Sequence, residues 1–361
     1  MSRTSFDEAR FEADFERTID RCEELNRDEA QQFVQTGYVR VSDAFPRSIA
    51  ETVVEHAWEE LERDYEVDRA DPASWDRPMM FHRKGGIHGY VRVPPSGTRF
   101  NLPGDAPRAF RAQTDAIGGA SRLPDGGANL AWSDASVANL GVVGHPSREQ
   151  PQPQLGGWHK DGWHFRHFLN SPEQGLLTVP IYSDIAPDSG GTHVAVDSIA
   201  PVARLLAAHP EGLHPDSVQG AGYLIPGLVE QCSAFEELTG DAGDMVILHP
   251  FMIHRACINP SPRPRFIANA ALVLTEPMNF AREAGDAYSL VELAVLWALK
   301  MNRLEFATTR DRLAVLPGPM RKDEDTQRER ELLQAEMSRF ADVGHRTPAW
   351  GREHGYQSNR A

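Results

Sequence analysis

Leu155-Gly-Gly-Trp-His-Lys-Asp-Gly-Trp163 sets a histidine and an aspartate two residues apart. In an extended strand, residues i and i+2 point to the same face. His159 and Asp161 can therefore hold one ion together while Lys160 points away. Glycines on either side of this aromatic-rich strand end suit a backbone that opens to admit ligands. A third ligand has to come from a distant strand, so that three ligands share one face and leave the other positions open. Two histidines and a carboxylate with open positions form the ligand set of oxygen-activating Fe(II) sites. An isolated H-x-D also occurs by chance, so the rest of the chain has to supply the context.

Downstream, Gly243-Asp-Met-Val-Ile-Leu-His-Pro-Phe-Met-Ile-His254 reads as a turn, an apolar strand and a histidine. Arg255-Ala-Cys-Ile-Asn-Pro-Ser-Pro-Arg-Pro-Arg265 and the apolar run Phe266-Ile-Ala-Asn-Ala-Ala-Leu-Val-Leu274 follow. Together they read as a short strand, a Pro-rich turn and a second strand.

With these segments the chain resembles the phytanoyl-CoA dioxygenase-like branch of the Fe(II)/2-oxoglutarate-dependent oxygenases. The resemblance rests on the H-x-D segment, the loop Asp188-Ser-Gly-Gly-Thr-His-Val-Ala-Val-Asp-Ser198, the strand leading into His254, and Arg265 eleven residues beyond that histidine. The opening Leu25-Asn-Arg-Asp-Glu-Ala-Gln-Gln-Phe-Val-Gln-Thr-Gly-Tyr-Val-Arg-Val41 is similar to the family's N-terminal helix followed by a strand. The likeness runs from residue 25 to about residue 280. It implies a mainly β fold with added helices, a double-stranded β-helix (a jelly-roll, cupin-like barrel). It implies Fe(II) held by His159, Asp161 and His254, with 2-oxoglutarate and O2 as cosubstrates. Arg265 would pair with the distal carboxylate of 2-oxoglutarate, and a guanidinium fork suits that task because it matches a carboxylate bidentately and stays charged. Family members often carry a small hydroxyl residue two positions after the distal histidine. Here that position is Ala256, so Thr178 is the candidate to assist the cosubstrate. His249 competes with His254, but Pro260 stands eleven residues beyond it and cannot pair with a carboxylate.

The implied reaction is hydroxylation of a small organic metabolite with release of succinate and CO2. Related halogenases replace the carboxylate ligand with a small residue, so Asp161 disfavours halogenation. Desaturation, cyclisation and epimerisation share the ligand set and stay open. Two other classes also stay open: a zinc hydrolase or isomerase on the same ligands, which has no evident use for Arg265, and a non-catalytic jelly-roll binding module. Trp163, His164 and Arg166 follow the metal motif closely and are candidates to line the substrate pocket. Tyr90 and Arg92, with Lys84, are candidates from the Pro- and Gly-rich region before it.

Composition bounds these readings. The formal net charge is −15, which disfavours nucleic acid as a partner because phosphate contacts demand clustered Lys and Arg. Cys22, Cys232 and Cys257 are odd in number and widely spaced, which suggests neither a disulfide framework nor a zinc knuckle. No signal-like start and no membrane-length apolar run is present, so cytoplasm is the expected location. A homo-oligomer is not indicated. The two halves of the motif have to meet in one site, so 1–361 is read as one catalytic domain. Its parts are helical (1–65), an irregular lid or substrate region (66–130), a β core with the metal site (131–280), and a helical extension (281–361). Helices are expected over 5–35 (two), 47–65, 198–209, 288–306 and, highly charged, 321–340, with the last ten residues frayed.

Overall fold

The computed structural model describes residues 6–77, 79, 88–142, 150–162, 164–213, 228–312, 327 and 331. Two helices, α1 (Glu8–Ile19) and α2 (Arg27–Thr36), lead into β1 (Tyr38–Val41), and α3 (Arg47–Tyr65) follows. Asn26 and Glu29 form a capping box at the start of α2, and Gly37 ends it in the left-handed conformation (φ 78°) that glycine adopts without steric cost. The next elements are β2 (Tyr90–Val93), β3 (Arg99–Asn101), α4 (Leu102–Asp105), α5 (Pro107–Ile117), β4 (Ala131–Ser133) and β5 (Ser136–Asn139). Then come β6 (Leu176–Pro180), β7 (His193–Ala195), α6 (Ile199–Ala208), β8 (Phe235–Glu237), β9 (Met245–Leu248), β10 (Ile253–Arg255), β11 (Arg265–Ile267), β12 (Ala270–Leu272) and α7 (Leu290–Leu299).

The strands form antiparallel sheets in the orders β1-β9-β6-β12, β10-β7-β8 and β11-β5-β2, with a two-stranded β3-β4 ribbon. Among the described residues the sheets do not close into one continuous ladder. Single bridges from Ile181 to Ile267 and from Ile185 to Gly240 tie their edges. Period-two alternation divides the core. On β9, Met245 and Ile247 face the helices, whereas Val246 and Leu248 face the other sheets. Leu177 and Val179 of β6 share that inner layer with Val137 of β5, Val194 of β7, Ile267 of β11 and the flanking Tyr90 of β2. The outer layer of the four-stranded sheet is covered by α2, α6 and α7 packed on one another. Residues 290 to 296 of α7 are buried on every side, as expected for a helix that is apolar all round.

Two element readings change. The 66–130 region is not irregular throughout: it contributes β2 to the inner layer and the helix α5. The final apolar stripe is helical only to Leu299, because Lys300 adopts the left-handed conformation (φ 53°) and Met301 and Leu304 pack from the chain beyond it. Lys84, Trp163, the last ten residues and all of 321–340 except 327 and 331 lie outside the described residues. Among the described residues, no helix is long and apolar enough to cross a membrane.

Candidate metal centre

His159 and His254 are brought together by backbone pairing. They form an isolated antiparallel bridge in which each N–H donates to the other's carbonyl at 2.9 Å. Directly opposed residues of an antiparallel pair project on one side, and the two imidazole centroids are 4.4 Å apart. Asp161 arrives on the same side two residues later. Its Oδ1 lies 3.7 Å from His159 Nε2 and its Oδ2 lies 3.7 Å from His254 Nε2. One ligand atom from each of the three lies within 4.8 Å of the others, a group able to hold a metal ion.

The tautomers suit that role. His159 Nδ1–H donates to Gly157 O at 2.7 Å and His254 Nδ1–H donates to Met252 O at 3.1 Å. Both Nε2 lone pairs therefore turn toward Asp161, the arrangement in which a backbone carbonyl orients a ligating imidazole. His254 Nε2 is buried without a hydrogen-bond partner. An unpaired buried acceptor is costly, and a metal ion is a partner that would satisfy it. Burial, and next the proximity of His254, pushes His159 down to about 4, which keeps that ring neutral and ligand-ready at neutral pH. Burial acts to raise the Asp161 carboxyl, but His254, His159, Lys160 and Arg92 outweigh it and hold it below the usual carboxylate range.

Lys160 points away from the ion site, as alternation requires, but into protein rather than solvent. Its Nζ donates to Asp161 O and to His167 Nδ1, both at 3.0 Å, beneath the rings of Phe165 and Phe251. Burial lowers its pKa to about 7. His249 is fully buried and both of its nitrogens are occupied. Phe251 N–H donates to Nδ1 at 3.0 Å, so Nε2–H donates to Val291 O at 3.2 Å. It ties β9 to α7, and of the two competing histidines only His254 joins the cluster.

Arg265 enters the inner layer from β11. In register it lies opposite Asn139 of β5, which in turn lies opposite Tyr90 of β2, so the three side chains share one face. Arg265 is 1% exposed; its Nε donates to Gly190 O at 3.0 Å, and one terminal nitrogen has no hydrogen-bond partner. Tyr90 covers it, with the guanidinium carbon 5.8 Å from the ring centroid. The Asn139 amide donates to Cys257 O while its own oxygen is buried without a partner. Arg92 follows Tyr90 on the same face, is exposed, and acts electrostatically on both His159 and Asp161. His164 is half-buried, and burial, partly opposed by Asp161, lowers its pKa.

Two candidates lie differently. Arg166 is buried and donates to Gly212 O at 3.1 Å and Glu211 O at 3.4 Å, bracing a neighbouring segment. Thr178 alternates with Leu177 and Val179, so it faces away from the layer that holds Tyr90, and its hydroxyl donates to Ala270 O at 3.1 Å. Asn139 was not singled out from the sequence; only strand register reveals its place beside Arg265. A second group, His193, Glu237 and Cys257, also has its ligand atoms within 4.8 Å. Its polar atoms already serve protein contacts: Glu237 accepts Asp188 N–H and Gly191 N–H, Cys257 Sγ donates to Gly191 O, and Arg255 donates to His193 Nδ1. A surface groove of about 490 Å³ beside Trp58, Trp75, Tyr182 and Phe266 contains neither cluster.

No family model and no curated protein matches the chain. Solved structures match it weakly. The non-heme epimerase SnoN from nogalamycin biosynthesis, in complex with Fe3+, alpha ketoglutarate and nogalamycin RO, is 14% identical, with 79% of this chain and 95% of that chain covered at a TM-score of 0.39. EctD from S. alaskensis with bound Fe is 15% identical, covering 81% and 91% at a TM-score of 0.40. HygX from Streptomyces hygroscopicus, with nickel and 2-oxoglutarate bound, is 12% identical, covering 74% and 96% at 0.35. Likenesses this weak carry no argument about the reaction, which has to be made from the site.

Proposed function

We propose that the protein is an Fe(II)- and 2-oxoglutarate-dependent dioxygenase, similar to the phytanoyl-CoA dioxygenase-like branch, that hydroxylates a small organic molecule. The supporting observation is a pair of unmet buried demands in one interior: a histidine nitrogen beside an aspartate and a second histidine, and a guanidinium nitrogen on β11. The first suits a divalent cation and the second a carboxylate, and Fe(II) together with 2-oxoglutarate would supply both partners. On this reading the facing sheets are the two sides of a double-stranded β-helix.

His159, Asp161 and His254 hold the metal. Two neutral imidazoles and one carboxylate leave a divalent ion with a net positive charge that favours an anionic chelator. Arg265 binds the distal carboxylate, positioned by its bond to Gly190 O and by Tyr90 above it. Leu177, Val179 and Ile267 keep the inner layer dry, which strengthens that charge-assisted contact. Tyr90, Arg92 and His164 face the substrate; Arg166 and Thr178 are committed to the carbonyls of Gly212, Glu211 and Ala270 and brace the fold around the site instead. Bound Fe(II), with 2-oxoglutarate and O2, supplies the oxidising chemistry, with succinate and CO2 as co-products.

The test is succinate formation from 2-oxoglutarate under air with Fe(II) and ascorbate. The parent is expected to form succinate. His159→Ala should abolish it, and Arg265→Ala should recover it only at high 2-oxoglutarate. Turnover that persists under argon would instead favour a zinc enzyme. Absence of both metal binding and succinate would favour a binding module.

A further inference from the structure

We propose that Arg255 is a positioning residue for the metal centre: one guanidinium, carried beside the ligand His254, grips the glycine turn that aims the ligand His159. The inference rests on the metal reading above and adds a residue that neither the sequence motif nor the ligand set includes.

The turn needs a restraint. Gly156 and Gly157 are exposed, Gly157 has φ +85°, and a Cβ built on either meets nothing within 4 Å. Neither residue has a side chain to anchor it, and glycine gives the backbone its widest freedom. Yet the carbonyl of Gly157 accepts the His159 Nδ1–H bond that turns Nε2 toward Asp161. The bridge to His254 fixes the His159 backbone, not its ring. The direction of that glycine carbonyl turns the ring.

Arg255 supplies the restraint. It follows His254 on β10, so alternation sends its side chain away from the ion site. It is 6% exposed, and its Nε donates to Gly156 O at 2.7 Å, one peptide before the carbonyl that orients His159. Its NH1 donates to His193 Nδ1 at 3.3 Å, which anchors the guanidinium to β7. His193 packs 6.4 Å from the Trp158 ring, and Trp158 precedes His159 and donates Nε1–H to Gln152 O at 3.0 Å. One buried, planar cation thereby joins both metal-bearing segments. A lysine carries the charge but not the fork that serves two acceptors at once.

The experiment is Co(II) titration of the metal-free full chain, reading both affinity and the visible ligand-field spectrum, for the parent, His159→Ala, Arg255→Lys and Arg255→Gln. Removing a partner that orients a metal ligand typically costs about 10- to 100-fold in metal affinity. Arg255→Gln is expected in that range with an altered spectrum, and Arg255→Lys between it and the parent. Unfolding of the metal-free proteins is followed in parallel. Arg255 variants that keep the parental affinity and spectrum overturn the proposal, whether or not they lose stability. If the parent binds Co(II) and His159→Ala does not, that failure belongs to Arg255 alone. A parent that binds no Co(II) overturns both this proposal and the metal reading.

Discussion

Single side chains here are assigned by what their polar atoms lack. Arg265 spends one nitrogen on Gly190 O and leaves another buried and unpaired, so its substitution should act on an anion. A hydrogen bond to a charged group is worth about 1.5–3 kcal/mol. Arg265→Gln is therefore expected to raise the apparent KM for 2-oxoglutarate by one to two orders of magnitude, with metal affinity retained; an unchanged KM would remove Arg265 from the cosubstrate. His249 makes the opposite case, with both nitrogens satisfied. Burial lowers its pKa from 6.5 to about 3, so the folded state resists a proton that the unfolded state accepts. Its contribution to stability is complete above about pH 6.5 and is lost as pH falls toward 3. Urea midpoints across that window should be flatter in His249→Gln than in the parent, and parallel curves would contradict this. The i, i+2 rule makes His159 and Asp161 legible because it is local. The choice of His254 over His249 is read from the eleven-residue spacing to Arg265, whereas the occupied nitrogens of His249 and the register of the Tyr90–Asn139–Arg265 row are properties of distant pairing that no short segment displays.

At the level of elements, legibility tracks how many large apolar side chains a segment carries. Residues 47–65 show a clear stripe, and α3 forms there. The helix α5 was missed because its buried side carries one large apolar residue, Ile117, beside Ala109, Ala112 and Ala116 and the polar Gln113, Thr114 and Asp115. The signals present were Pro107 at the first turn and Gly118 in the left-handed conformation at the end. A Cβ on Gly118 would sit 3.0 Å from Ser289 Cβ, where α5 meets the start of α7. That junction is held by Glu292, which is fully buried. It accepts backbone N–H bonds from Asn279 and Ser289 and a two-point bond from Arg282, with Arg122 at 3.4 Å. Removing one side of a buried ion pair costs about 3–5 kcal/mol because the partner charges stay behind. Glu292→Ala should destabilise the chain on that order in denaturant unfolding, whereas Glu305→Ala, on an exposed pair with Arg303, should fall within about 1 kcal/mol. Equal effects would mean that burial of the Glu292 network does not matter.

Across the whole molecule, the proposed site sits at a seam. His254 belongs to the β10-β7-β8 sheet, Arg265 to β11-β5-β2, and the segment carrying His159 and Asp161 joins the first through one backbone bridge among the described residues. Among the described residues the sheets share an inner apolar layer and single bridges but not a closed hydrogen-bond ladder, so an ion held by three side chains would add a cross-link between the His254 strand and the segment that carries His159 and Asp161. Binding to the folded state alone stabilises it by RT ln(1 + [L]/Kd), about 2.7 kcal/mol at one hundred times Kd. The unfolding midpoint of the metal-free protein should therefore rise with the logarithm of Co(II) or anaerobic Fe(II) concentration. A chain with a net charge of −15 also attracts cations over its surface, so a rise by itself is not diagnostic. The diagnostic comparison is His254→Ala, which removes a buried ligand and leaves the acidic surface intact. Its midpoint should stay flat over the concentrations that stabilise the parent and should fail to respond to 2-oxoglutarate added with the metal. An equal rise in His254→Ala would place the stabilising ion on the surface and leave the seam without its cross-link.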